Sequence, residues 1–77
     1  MTFDANKFIK SNLINGLLKG AFVSEQVSIF AFNYLQKGTI MQETFNEIQQ
    51  AVIEYEEEQA RLEEEMEREE QLVEEQP

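Results

Sequence analysis

The residues of this chain with the greatest capacity for chemistry are its glutamates. Two runs hold most of them: "EYEEE", Glu54 to Glu58, and "EEEMEREE", Glu63 to Glu70. Carboxylates in pairs serve as general acid and base, and carboxylates in clusters hold Ca²⁺. Both uses need convergence. Glu54 to Gln76 contains no Gly or Pro, so a single helix is expected there. Carboxylates on a straight helix fan outward and cannot wrap six to eight oxygens round one ion. Acid–base pairs also need a pocket to separate their proton affinities, and such a helix has none. The rest of the inventory adds little. The chain has no His, no Cys and no Trp, so the commonest general base and the thiolate ligands of zinc are missing. No Gly-rich phosphate loop and no nucleophile with a neighbouring base is present. The expectation is a protein with no catalytic residues, no metal and no cofactor: not an enzyme.

Charge divides the 77 residues in two. Through Ile53, Asp4, Glu25, Glu43 and Glu47 cancel Lys7, Lys10, Lys19 and Lys37. Beyond it, twelve glutamates stand against Arg61 and Arg68 and supply the whole net charge of −10. A neutral, apolar head (residues 1–53) thus continues into an acidic stalk (54–77) whose last turns are expected to fray. Direct binding of nucleic acid by that stalk is disfavoured, because phosphates need cations. Leu13 to Leu35 is broken by Asn15, Lys19, Ser24, Glu25 and Gln26, so no membrane span is expected. Asp4 follows closely on Met1 where a signal peptide would carry a basic and then an apolar region. These features together point to the cytoplasm.

Three helices account for the head. The first is expected from an Asp4 N-cap to Lys19 with Gly20 closing it, and Phe8, Ile9, Leu13, Leu17 and Leu18 forming one wide apolar stripe. Its lysines also suit a membrane-surface helix, but other apolar segments are there to cover the stripe. The second is expected from a Ser24 cap through Lys37 and Gly38. Val27, Phe30, Ala31, Tyr34 and Leu35 share one face, while Ile29 and Phe32 lie on the other. "VSIFAFNYL" has strand propensity too, but no second strand exists to pair with it. Thr39 and Gln42 fit a capping box for the third helix.

From Met41 onward ten positions recur at alternating spacings of four and three, and all but Gln59 and Glu69 are apolar or aromatic: Met41, Phe45, Ile48, Val52, Tyr55, Gln59, Leu62, Met66, Glu69, Val73. That is a heptad seam, with Phe45, Val52, Gln59, Met66 and Val73 at a and Met41, Ile48, Tyr55, Leu62 and Glu69 at d. A helix of that length, roughly 50 Å at 1.5 Å per residue, outruns two short helices. The fold class expected is therefore all-α, with two short helices packed on the start of a long, acidic third. Glu57–Arg61 and Glu64–Arg68 are spaced for ion pairs along it. Glu56, Glu63 and Glu70 at e and Glu58 and Glu65 at g flank the seam. A parallel self-paired coil would set glutamate against glutamate, so a homo-oligomer is opposed at neutral pH. A basic helix or groove would be attracted.

A pattern around the turns resembles the XkdX-type small proteins of the phage tail region. In that family a glycine and an aromatic precede a capped helix, and Lys-Gly-x-Ile-x-x-Glu-x-Tyr/Phe-x-Glu-Ile follows. Gly20, Phe22, Ser24, Glu25 and Val27 answer the first part; Lys37, Gly38, Ile40, Glu43, Phe45, Glu47 and Ile48 answer the second. Residues 8–48 are covered and the stalk is not. Met41 stands where the family has a Thr cap, and the interval from Val27 to Lys37 is longer by about one turn. The resemblance implies a virion or tail accessory protein with no catalytic residue to carry over, placed in the host cytoplasm or the virion.

The sequence thus points to a protein that binds another protein through Ile29 and Phe32 on the second helix and Tyr55, Gln59, Leu62, Met66 and Val73 on the third. The alternative is an acidic mimic of nucleic acid that fills the basic channel of a DNA- or RNA-binding protein.

Overall fold

A computed structural model describes residues 2–75, with side chains through Arg68. The chain is all-α: α1 (Ala5–Leu18), α2 (Ser24–Gln36) and α3 (Gln42–Glu75), the two short helices packed against the first part of the long one.

Local chemistry sets most of the helix ends. Asp4 is extended, and its carboxylate accepts the amide of Lys7 at 3.3 Å. Both short helices then close in the same way. Gly20 (φ 81°) sends its amide to Leu17, and Ala21 reaches back to Gly16 at 2.8 Å. Gly38 (φ 76°) bonds Leu35, and Thr39 reaches back to Tyr34 at 2.9 Å. These are Schellman closures, in which a left-handed residue after the helix lets two amides satisfy orphan carbonyls. Glycine takes that conformation without steric cost.

The two helix starts after these turns differ from expectation. Ser24 is the first residue of α2 and caps nothing; extended Val23 precedes it without a side-chain bond. The reason lies in the turn. The amide of Phe22 bonds the Gly16 carbonyl, which holds the chain in the closure up to Phe22 and leaves one residue for the approach to α2. Likewise Thr39 does not cap α3, because its backbone is engaged in closing α2. Buried Ile40 follows, and the Met41 carbonyl accepts from Phe45 to open α3 at Gln42.

What replaces the capping box comes from another helix. Asn6, in the first turn of α1, accepts the Met41 amide at 2.7 Å and the Thr44 hydroxyl at 2.9 Å through one oxygen, Oδ1. In a capping box, the third helical residue reaches back to the amide of the capping residue. Here a side chain distant in sequence performs that task and also satisfies buried Thr44.

Packing follows from this junction. Asn6–Thr44 and the Lys10–Glu47 ion pair (2.8 Å) advance together, so α1 runs parallel to α3. Ser28–Gln49 (2.9 Å) and the Phe32–Phe45 rings run oppositely, so α2 is antiparallel to it. Each helix places one side chain at the centre, Leu17, Val27 and Ile48, all at most 1% exposed. Ile9, Leu13, Ala31, Ile40 and Val52 complete the core, with Phe22, Phe30, Leu35, Phe45 and Tyr55 half-buried against it. The α1 stripe is narrower than expected: Phe8 and Leu18 lie on its outer side and are exposed. Tyr34 sits exposed at the edge of the α2 face, and Met41, the first seam residue, is exposed while its neighbour Ile40 takes the core position. The radius of gyration is 17.3 Å, against about 11 Å for a compact chain of this length. The molecule is 64 Å long and 23 Å across because α3 continues past its partners.

Gly16 is needed for space. A Cβ there would lie 2.2 Å from Cδ2 of Phe22, whose ring also meets Phe30 edge-on at 5.7 Å. Gly16→Ala therefore lowers stability by about 1–3 kcal/mol, although alanine improves helix propensity by about 1 kcal/mol. Urea unfolding followed by circular dichroism checks this, and a gain in stability would show that Phe22 yields freely. Asn6→Ala costs about 1–2 kcal/mol in the same measurement, because it strips the acceptor from the Met41 amide and the buried Thr44 hydroxyl.

Candidate partner-binding surface

The face of α3 that meets α1 and α2 is a single row, and the row does not stop where they do. Ile48 and Val52 are buried and Tyr55 is half-buried. Gln59, Leu62 and Met66 follow at the same four-three spacing, on the same face, and are exposed. Leu62 is 41% and Met66 66% exposed. From Tyr55 to Met66 the row extends about 16 Å along the axis. Every residue from Glu56 to Arg68 is exposed.

The flanks are acidic on both sides. At 100° per residue, Glu56 and Glu63 lie on the side of the seam that faces α2 lower down. Glu58 and Glu65 lie on the side that faces α1. The ion pairing along the stalk differs from the expected one. Arg61 approaches Glu58 at 3.8 Å, one turn back at i−3, and neither Glu57–Arg61 nor Glu64–Arg68 forms. Exposed and long, this pair is worth little. The described acidic residues meet in no group of three or more that could hold a metal ion. No helix among the described residues is long and apolar enough to cross a membrane.

The second expected contact region lies on α2. Ile29 is 50% and Phe32 48% exposed on the outer side of that helix. Phe32 does not stand alone: its ring meets that of Phe45 at 6.3 Å in an edge-on geometry. This fixes its level on α3. Leu62 is seventeen residues further on, roughly 25 Å along the axis. The residues read from the sequence as one partner-binding set therefore fall on two surfaces, the outer face of α2 and the stalk seam. Val73 lies outside the side chains that the structure describes.

Other apolar surface was missed by the sequence reading. Phe3 and Phe8 meet at 5.4 Å on the outer side of α1, largely exposed. Ile53 is exposed one helical step beyond Val52. The available signal for Phe8 was its angle: it lies about 140° from Leu13 on a helical projection, off the inner stripe. No family model, curated protein or solved structure matches this chain.

Electrostatics predicts that the flanking glutamates weaken any self-pairing of the seam. Glu56, Glu58, Glu63 and Glu65 replaced together by Gln should strengthen self-association at neutral pH by about tenfold to a hundredfold, since several like-charge contacts of a few tenths of a kcal/mol are removed. Light scattering over a concentration series reads this directly. Equal masses for wild type and variant throughout the series would mean that the seam has no tendency to self-pair.

Proposed function

We propose that this protein is a non-enzymatic interaction or assembly protein that binds another protein through the α3 seam, with the outer face of α2 as a second contact. One observation carries the reading: the row that forms the core interface of α3 continues as exposed Leu62 and Met66 beyond the reach of α1 and α2. Among the described side chains, more large apolar residues are exposed than buried. Apolar surface in such excess is a usual mark of a partner site. The resemblance to XkdX-type proteins supports a phage or prophage setting, with the protein acting in the tail region and located in the host cytoplasm or the virion.

A second reading is supported by the stalk's charge. Its one ion pair among the described residues, Arg61–Glu58, leaves the other carboxylates of residues 54–68 without an ion-pair partner among the described residues. Such an array could occupy the basic channel of a nucleic-acid-binding protein. The apolar row through the array argues for the first reading, because a phosphate mimic has no use for Leu62 and Met66.

A photo-crosslinking amino acid placed at position 62, at position 32, and at exposed Gln50 as a control tests the proposal in the native host. The expected result is a discrete protein adduct from position 62, a weaker one from 32, and none from 50. A monomeric chain that gives no adduct at 62 or 32 would overturn it. An adduct abolished by about 0.5 M salt would favour the mimic, because exposed charges are then screened within a few ångströms.

A further inference from the structure

We infer that the stalk seam receives an amphipathic helix of another protein, one whose apolar stripe is bordered by lysine or arginine. The inference rests on the interaction reading above and names the chemistry of its partner.

The shape of the site is that of an interrupted helix bundle. α3 presents a uniform seam, and two helices cover its first part. α1 runs parallel to α3 with Lys10 beside Glu47, so Leu18, eight residues on, sits at the level of Tyr55. α2 runs antiparallel with Ser28 beside Gln49, so Val23 lies at nearly the same level. Both are exposed, Leu18 at 64% and Val23 at 66%. The head therefore ends near the level of Tyr55, and the seam continues beyond it. A helix lying along Tyr55, Gln59, Leu62 and Met66 would continue the existing interface beyond the ends of α1 and α2. The described seam beyond the head is about two heptads long, enough for a short helix and too narrow for a sheet or a globular face. Met66 suits such a contact because its side chain adapts to an incoming shape.

Charge selects the occupant. In a parallel pair e faces g′, and in an antiparallel pair e faces e′ and g faces g′. With Glu56 and Glu63 at e and Glu58 and Glu65 at g, a second copy brings glutamate against glutamate in either orientation. A helix with Lys or Arg at its own flanking positions turns every one of these contacts favourable. A purely basic, unfolded segment would use the carboxylates but leave Leu62 and Met66 in water.

The test uses the full chain and synthetic peptides. The probe has about three heptads, with Ile at a, Leu at d and Lys at e and g. One control carries Glu at e and g; the other keeps every Lys but has Ser at a and d. Titration calorimetry at neutral pH should show one-to-one binding of the probe, at least about thirtyfold tighter than the Ser control, with no binding of the Glu control. Leu62→Gln with Met66→Gln should weaken the probe by about tenfold or more. Both positions lie outside the core, so an unchanged melting temperature shows that the variant is folded. Equal affinity for the probe and the Ser control, or no effect of the double substitution, would overturn the inference in favour of a charge-only surface. Failure of the probe to bind while position 62 still crosslinks in the host overturns it too, yet leaves the interaction reading standing. Probe binding with no adduct in the host supports the inference about the surface and removes the biological reading.

Discussion

The constraint on which this architecture depends is one of length. α1 and α2 have 14 and 13 residues and α3 has 34, so helices of about 20 Å must cover one of about 50 Å. Each short helix ends at a glycine with positive φ and cannot be extended without breaking its closure. About half of α3 is therefore left uncovered whatever the quality of the core. The chain did not answer this by making the uncovered part polar on all sides. It kept the apolar row, and the functional reading grows from that choice.

Which half is covered is decided at Asn6. One oxygen accepting from both the Met41 amide and the Thr44 hydroxyl ties the first turn of α1 to the first turn of α3. Sliding α1 by one turn along α3 would leave buried Thr44 without its acceptor, a cost of about 1–3 kcal/mol. In a domain this small that is a large share of the total, because so short a chain buries only about 60% of its unfolded surface. Lys10–Glu47 and Ser28–Gln49 agree with the same alignment, but they are more exposed and weaker restraints. The heads of α1 and α3 are thus held level, and all the excess length emerges at the far end, beside Leu18 and Val23.

Much of this was legible in the sequence, and the misses share a cause. Gly20 and Gly38 marked both helix ends because left-handed backbone is a local property that glycine announces. The shared face from Phe45 to Met66 was legible for a similar reason, since a sustained four-three alternation has few competing explanations, whereas Met41 lost its place to Ile40. The starts of α2 and α3 were misread because Ser24 and Thr39 are good caps only if the preceding turn leaves their backbone free, and the two closures engage it. Asn6 could not be read at all, since its partners lie 35 and 38 residues away and nothing local distinguishes it from a solvated helix residue. For the surface, the spacing gave Tyr55, Gln59, Leu62 and Met66 one face. It could not show that Ile29 and Phe32 belong to a separate surface, because that depends on the antiparallel course of α2 and the level at which Phe32 meets Phe45.

An exposed apolar row is ordinarily a liability, since two copies of the same row are always complementary in hydrophobicity. The glutamates change that without touching the row. Each flanking contact is worth only a few tenths of a kcal/mol at an exposed edge. A self-paired seam repeats such contacts on both sides, in either orientation, so the repulsions add and work against the apolar gain from Leu62 and Met66. A partner with cationic flanks keeps that same apolar gain and reverses the sign of every flanking term. The difference between the two pairings is therefore about twice the summed edge electrostatics. That selectivity falls on screening by salt, while the contribution of Leu62 and Met66 does not.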